Sequence, residues 1–439
     1  MDKSVKLEVE NMRRRDFVKG SVAAGVALAL PFSSVRGAND DIRVAVVGLH
    51  GRGRGLIASF RNTEGVRVVA LCDVDGTILD QEVKKFKTRD EKVDAYTDYR
   101  RMLEDKSVDV VAIATPDHWH VPLAAFSVIA GKDVYVEKPL SHTICEGRLL
   151  VNLARKYGRM VQHGTQLRSA EGLTEAVEYM QSGKLGKIRM AKAINCQLRN
   201  PIGHKADCEA PAHVDYDMWL GPAPKRPFNP NRFHYNWHWF WDYGTGDTGN
   251  DGIHQIDIAR WGLGVTTPKA VSCSGGQLFY DDDHQTPDTQ IATFEYDDVY
   301  LMYEMRLWTP YPYEGHNNGN IFYGDNGTMS IGRKGWQVTF KDGTKGPSNA
   351  PGSGSHIGNF INAVRSRKVS DPSTALGAGL NADVEVGHHS ASLCHMANIA
   401  MRLGRRLKFD AERELFIDDV EANTFLTKKY RKGYELPTL

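Results

Sequence analysis

Apolar residues in the first third of the chain fall into short continuous runs separated by amphipathic stretches. IRVAVVG (42–48), VRVVALCDVD (66–75), VDVVAIAT (108–115) and VYVEKP (134–139) are β-rich runs with no polar alternation, as expected of parallel strands buried on both faces. Helices are predicted between them at 53–62, 76–88, from Thr97 or Asp98 to 105, and at 120–131, with another over 143–158 after VYVEKP. This last helix opens on a capping box, Thr143 to Glu146. Such βα alternation, closed by RMVQHGTQ (159–166), predicts a right-handed, doubly wound sheet. The pattern then changes to a helix over 173–186, a strand over 187–199 and an irregular stretch over 200–250. A helix to Trp261 follows, starting from Asn250 or Asp251 as cap, and then β-hairpins from Lys269 to Phe340. The Pro/Gly/Ser stretch 343–355 reads as a surface loop, and helices near 355–367 and 377–403 are expected to close against the first domain.

The N-terminus stands apart from this pattern. Arg14, Arg15, Phe17 and Lys19 follow the RRxFxK grammar of a twin-arginine export signal, and the apolar stretch from Gly20 to Pro31 is short for a bilayer span. We therefore expect a signal at 1–38, a periplasmic protein with no membrane association once the signal is removed, and two domains at 39–165 and 166–439. A net charge of +1 gives no reason to expect nucleic acid as partner. The six cysteines, at 72, 145, 196, 208, 273 and 394, contain no CxxC and read as free thiols, with Cys196–Cys208 the closest pair were a bridge to form. No metal is expected. His118 and His120 have zinc-like spacing but stand where a helix opens, and His204, Cys208 and His213 are mixed ligands at loose spacing.

In a doubly wound sheet the ligand lies beyond the carboxyl ends of the strands, where this chain places its polar motifs. Gly48 and Gly53 fit a dinucleotide phosphate turn, although His50 stands at the second glycine position, flanked by Gly51 and Arg52. Asp73 falls where an acid binds the adenosine ribose and repels a 2′-phosphate, favouring NAD over NADP; capping of the next helix is its compatible structural role. Thr115, Pro116, Asp117, His120, Glu137, Lys138 and Gln166 complete the candidate cofactor contacts.

The order of glycine turn, ATPDHWH (114–120) and VYVEKP resembles the glucose–fructose oxidoreductase / inositol dehydrogenase / MocA superfamily. The resemblance implies an α/β architecture: an N-terminal Rossmann domain, then an α/β domain whose open, largely antiparallel sheet carries the substrate and often a homodimer or homotetramer interface. It implies that Pro116, Asp117 and His120 contact cofactor, and that Glu137 and Lys138 stand at the nicotinamide-side and catalytic positions. His254 matches the family's histidine, whereas Asn250 stands where an aspartate four residues before it is usual. Basicity is therefore left to His254 or Lys138, with Asp251 or Asp257 assisting. The aromatics of the irregular stretch, Trp219, Phe228, Phe233, Tyr235, Trp237, Trp239, Phe240, Trp241 and Tyr243, read either as packing over the core or as a stacking wall for a sugar, with Gln166, Arg168, Asn250, Asp251 and Asp257 as further sugar-positioning candidates. The expected chemistry is hydride transfer between a secondary alcohol of a sugar or glycoside, possibly at C3, and tightly held NAD. Glycoside cleavage through transient oxidation and non-catalytic sugar or NAD binding are the alternatives.

Overall fold

The computed structural model describes residues 41–309, 311–312, 315–368 and 379–439, so the expected export signal lies outside the described residues. Six strands, β1 (Ile42–Val47), β2 (Val66–Cys72), β3 (Asp94–Tyr96), β4 (Val110–Ile113), β5 (Asp133–Val136) and β6 (Val161–His163), form a sheet in the order 3-2-1-4-5-6. Every pair in it is parallel. The connecting helices are α1 (Arg52–Arg61), α2 (Gly76–Lys87), α3 (Tyr99–Glu104), α4 (Asp117–Ile129) and α5 (Ile144–Tyr157). Strands β1, β4 and β5 are buried almost throughout, which explains their unbroken apolar sequence. Helix α4 opens three residues earlier than its amphipathic pattern suggested, directly after Pro116. Asp75, rather than Asp73, caps α2, its side chain accepting from the amides of Thr77 and Ile78.

The second sheet has ten strands in the order 14-13-12-11-7-10-9-8-15-16. They are β7 (Ile188–Asn195), β8 (Ala270–Gly276), β9 (Thr289–Glu295), β10 (Tyr300–Arg306), β11 (Asn318–Gly324), β12 (Gly327–Gly332), β13 (Gly335–Phe340), β14 (Lys345–Asn349), β15 (Leu407–Asp410) and β16 (Leu415–Phe416). Only the β7–β10 pair is parallel. Strand β14 occupies part of the stretch expected to be loop. One face of this sheet is covered by α6 (Glu171–Gln181), α8 (Ile253–Leu263) and α10 (Val384–Leu403). The segment between β7 and α8 is irregular as expected, holding α7 (Tyr216–Leu220) and two 3₁₀ turns, Pro230–Arg232 and Asn236–Trp239.

Two late helices return to the first sheet. α10 packs along α5, and α9 (His356–Ser366) places Phe360 edge-on to Phe60 and Tyr135 in the Rossmann core. All six cysteines are free; Cys72, Cys196, Cys273 and Cys394 are buried.

Candidate active site

A cleft of about 320 Å³ opens at the carboxyl ends of β1, β2, β4 and β5, at the point where the strand order reverses. Its floor is the strand-end residues. Gly48 has φ +81°, and a Cβ there would lie 2.6 Å from the Ala114 carbonyl oxygen; at Gly53 one would lie 1.8 Å from the Gly48 carbonyl oxygen. The turn therefore brings its backbone against the sheet and the α1 N-terminus as a pyrophosphate cradle requires. His50, at the second glycine position, is exposed at the edge of the cleft, which it lines, and stacks on His234 with ring centroids 4.9 Å apart.

Asp73 lies at the end of β2 and lines the cleft. Its two oxygens accept from the Leu49 amide (2.7 Å) and the Asp75 amide (2.9 Å), which ties the glycine turn to β2. Burial raises its pKa while these two amides oppose the rise. Thr115 is buried with its hydroxyl unpartnered. His120 is locked between two carbonyls, Nδ1 to Pro139 (2.6 Å) and Nε2 to Thr115 (2.9 Å), and His118 faces the Trp219 carbonyl, so neither ring is presented to a metal. Asp117 is buried and accepts from Thr245 Oγ1 at 2.8 Å; burial pushes its carboxyl up to about 7, against the pull of the Lys138 charge. Glu137 is buried and accepts from Arg52 Nε (2.7 Å) and Gln166 Nε2 (3.1 Å). Arg52 and Gln166 thus position Glu137, and Gln166 does not itself line the cleft.

The cradle and the orphaned Thr115 hydroxyl in the same cleft fit a dinucleotide, and Asp73, Glu137 and Lys138 line that cleft with them.

Lys138 stands where floor meets second half. Its ammonium donates to Asn250 Oδ1 at 2.7 Å. Asn250 does not cap a helix. It sits inside a wide π turn, Thr248–Gly252, that runs directly into α8, because its side chain is engaged by Lys138 and by Asp247. The turn packs so tightly that a Cβ at Gly252 would lie 2.1 Å from the Tyr303 hydroxyl. One turn on, His254 lies behind Asn250 and does not itself line the cleft; its Nδ1 is buried without a partner. Burial, and then the Lys138 charge, lowers its pKa below 6.5, leaving a neutral ring.

Several expected site residues lie elsewhere. Asp257 is buried in an ion pair with Arg168 (2.7 Å), accepts from Ser390 Oγ (2.6 Å) and does not line the cleft, so it holds structure. Arg168 is correspondingly occupied, its guanidinium also lying over the Trp261 ring. Trp239 is core, packed on His284, and Trp241 lies under Arg402; neither lines the cleft, and only Trp237 of the three does. Asp251 is half-buried and paired with Arg199, while Gln197 donates to it at 2.6 Å. His204 pairs with Asp283 and His213 with Asp75, apart from Cys208, and no metal-holding cluster occurs among the described residues.

Sequence reasoning named Trp219, Phe233 and Tyr235 among the aromatics of a stacking wall, but missed His234, His238 and the contacts that hold the segment as a roof. Residues 213–215 lie on the end of β2, through a Val214–Asp75 bridge and the Asp215 amide donating to the Val74 carbonyl (2.9 Å). Trp219, Phe233, His234, Tyr235 and His238 then line the cleft from above. It also missed Asp247 and Arg199, fully or largely buried beneath Asn250, whose only signal was an acid three residues before it.

Comparison with known proteins agrees with this geometry. A family model described as the NAD-binding Rossmann fold of an oxidoreductase family matches residues 42–165, and the C-terminal alpha/beta domain of the same family matches residues 202–436. A glycosyl hydrolase family 109 protein of Shewanella sp. (strain ANA-3) is 35% identical over 166 residues, 32% of this chain and 36% of that protein. An α-N-acetylgalactosaminidase of Shewanella oneidensis is 30% identical over 174 residues, 34% of this chain and 38% of that protein. The match thus spans little more than a third of these curated relatives. Among solved structures, the WlbA dehydrogenase of Bordetella pertussis, in complex with NADH and UDP-GlcNAcA, superposes with a TM-score of 0.63 at 18% identity, covering 84% of this chain and 99% of that one. A levoglucosan dehydrogenase, in complex with NADH and levoglucosan, gives 0.65 at 16% identity, with the same coverage.

Proposed function

The chain belongs to the Gfo/Idh/MocA oxidoreductase family, with an NAD-binding Rossmann domain and the family's C-terminal alpha/beta domain, and from that premise we propose that it oxidises a secondary alcohol of a sugar or glycoside. The observation that carries this reading is the Lys138 ammonium, fixed at 2.7 Å by Asn250 at the cofactor cleft, with the neutral His254 ring one turn further on. NAD, when bound, supplies the hydride acceptor. His254 takes the hydroxyl proton as the carbon loses hydride, giving a ketone, and its lowered pKa keeps the ring free to do so. Lys138 donates to the same oxygen and stabilises the negative charge that develops there. Trp237 and Tyr235 flank the cleft as apolar faces for a sugar ring.

The proposal includes twin-arginine export and retention of NAD, since free nucleotide is scarce outside the cytoplasm; the roof over the cleft supports retention. A second reading, glycoside cleavage by transient oxidation, is favoured by the names of the Shewanella relatives. A ketone at C3 acidifies the C2 hydrogen, and its loss expels the aglycone from C1 by elimination; water adding across the resulting C1–C2 double bond and hydride returning from NADH to C3 would complete hydrolysis with no net redox change.

The test is to denature the purified full chain, identify released nucleotide by mass spectrometry, and then challenge native protein with free sugars and with aryl glycosides, α-N-acetylgalactosaminides included. Ketone formation without aglycone release supports the dehydrogenase. Aglycone release with no net nicotinamide reduction supports cleavage. Absence of nucleotide, of binding and of turnover overturns both.

A further inference from the structure

Asp247 touches neither the cleft nor Lys138, yet its position decides what Lys138 meets. It is fully buried. Its Oδ1 accepts from Arg199 (2.7 Å) and from Asn250 Nδ2 (2.9 Å), and its Oδ2 accepts from Asn195 Nδ2 (2.9 Å). An ionised carboxylate only accepts, whereas the two ends of an asparagine amide are opposite in kind and nearly equal in shape. We propose that Asp247 is a positioning residue which fixes the Asn250 amide so that its oxygen, rather than its NH₂, faces Lys138.

Lys138 Nζ can only donate. Were the Asn250 amide turned over, two donors would meet and the 2.7 Å bond would be lost. The Asp247 carboxylate prevents this, because the turned amide would set its oxygen against an anion. Arg199 in turn pairs with the Asp247 carboxylate. Burial raises the carboxyl pKa and the guanidinium opposes that rise, while Asp251 on the far side of Arg199 is held below its usual range despite burial. Asn195, Asn250 and Arg199 together supply every donor the Asp247 oxygens receive, so the carboxylate is satisfied without contact with substrate. Its hydrogen-bonded link to Lys138 runs through the Asn250 amide. The catalytic consequence rests on the reading of Lys138 given above; the positioning itself rests on these contacts.

The experiment is competitive acetylation of the full-length protein with acetic anhydride, without substrate. Lys138 is quantified by peptide mass spectrometry against the other lysines of the same sample. In Asp247→Asn the amide at 250 is free to turn, the ammonium loses its acceptor, and Lys138 is expected to label about three- to tenfold faster than in wild type. In Asp247→Asn/Asn250→Asp an acceptor-only group stands directly beside Lys138 whichever residue occupies 247, so labelling is expected to return to the wild-type rate or below. Lys138 labelling unchanged by Asp247→Asn, or a double variant labelling as fast as Asp247→Asn, overturns the proposal. Should Asp247→Asn fail to fold, the double variant compared with Asn250→Asp decides the same question: equal Lys138 rates support the proposal and a faster double variant overturns it. Once a substrate is found, kcat should fall in Asp247→Asn with NAD affinity unchanged and recover in the double variant. A protein that labels as expected but turns over no sugar would retire the redox reading and leave the positioning intact.

Discussion

The floor of the cleft comes from strand ends between Gly48 and Lys138, each delivered by its own βα unit, whereas the roof comes from a segment after β7 that crosses back onto β2 and is held there by contacts between residues far apart in sequence. In the floor, each side chain owes its place to a buried strand a few residues away. Asp73 is at the cleft because β2 ends there, and Lys138 because β5 does. In the roof, Trp219 is at the cleft because Val214 pairs with Asp75, and because the Trp219 carbonyl accepts from Trp119 Nε1 at 3.0 Å. Local patterning places the floor, and long-range contacts place the roof.

In the proposed reaction Lys138 acts from the floor and His254 from α8 behind Asn250, so the largest effect should come from removing one of these two groups. His254→Gln removes the proton acceptor while preserving size, and kcat should fall about 10²- to 10⁴-fold with NAD affinity unchanged. The pH dependence sharpens this. The ring must be neutral to accept a proton, and burial beside Lys138 lowers its pKa below 6.5. Wild-type kcat should therefore hold as pH falls through 6.5 and decline only below it, and that acid limb should vanish in His254→Gln. A variant retaining both rate and limb would move the base to another residue.

A smaller effect, confined to the floor, is expected from Asp73→Ser. The substitution removes the cleft-lining carboxylate proposed to meet the ribose, together with the acceptors for the Leu49 and Asp75 amides. NAD affinity should fall about tenfold or more, and discrimination against NADP should relax, both read by equilibrium titration of the apoprotein. Equal affinity of wild type and variant for both nucleotides would detach Asp73 from the ribose.

The same contrast explains what was legible in the sequence. Strands β1, β2, β4 and β5 announce themselves because burial on both faces demands unbroken apolar runs. β3, only Asp94-Ala95-Tyr96, and β14, Lys345–Asn349, carry no such signal; they are short edge strands whose pairing, not composition, makes them strands. Among the tryptophans, Trp237, Trp239 and Trp241 share an irregular segment with no period from which to tell faces apart, so one lines the cleft and two do not. The α8 face was only partly legible. Helical spacing grouped Asn250, His254 and Asp257, but the π turn rotates what precedes Ile253, and Arg168 claims Asp257 from a distant element. Asp247 was invisible because its role depends on Arg199 and Asn195 arriving from β7 and the strand's continuation.

The smallest effect tests whether the roof retains the cofactor, and its best lever is a residue outside the cleft. Arg431, in the C-terminal tail, donates from Nε to the Gly221 carbonyl (2.7 Å) and reaches the backbone and side chain of Asp217, so it grips both ends of α7. Its guanidinium lies 4.6 Å over the Tyr434 ring, which packs edge-on against Trp119 beneath Trp219. The tail thus acts as a buckle on the piece of roof tied to the end of β2, and its contacts include neither Lys138 nor His254. Arg431→Ala forfeits bonds at a site that is partly open to water, so a loss of about 1 kcal/mol, roughly fivefold, is the expected scale. That loss should appear as faster release of bound NAD into a scavenging dehydrogenase, with the first-turnover rate unchanged. Release as slow as in wild type would mean that the roof needs no buckle and that the glycine turn and Asp73 alone set residence time. A slowed first turnover would instead tie the tail to Lys138 and His254, and the division between floor and roof would fail where it is most exposed.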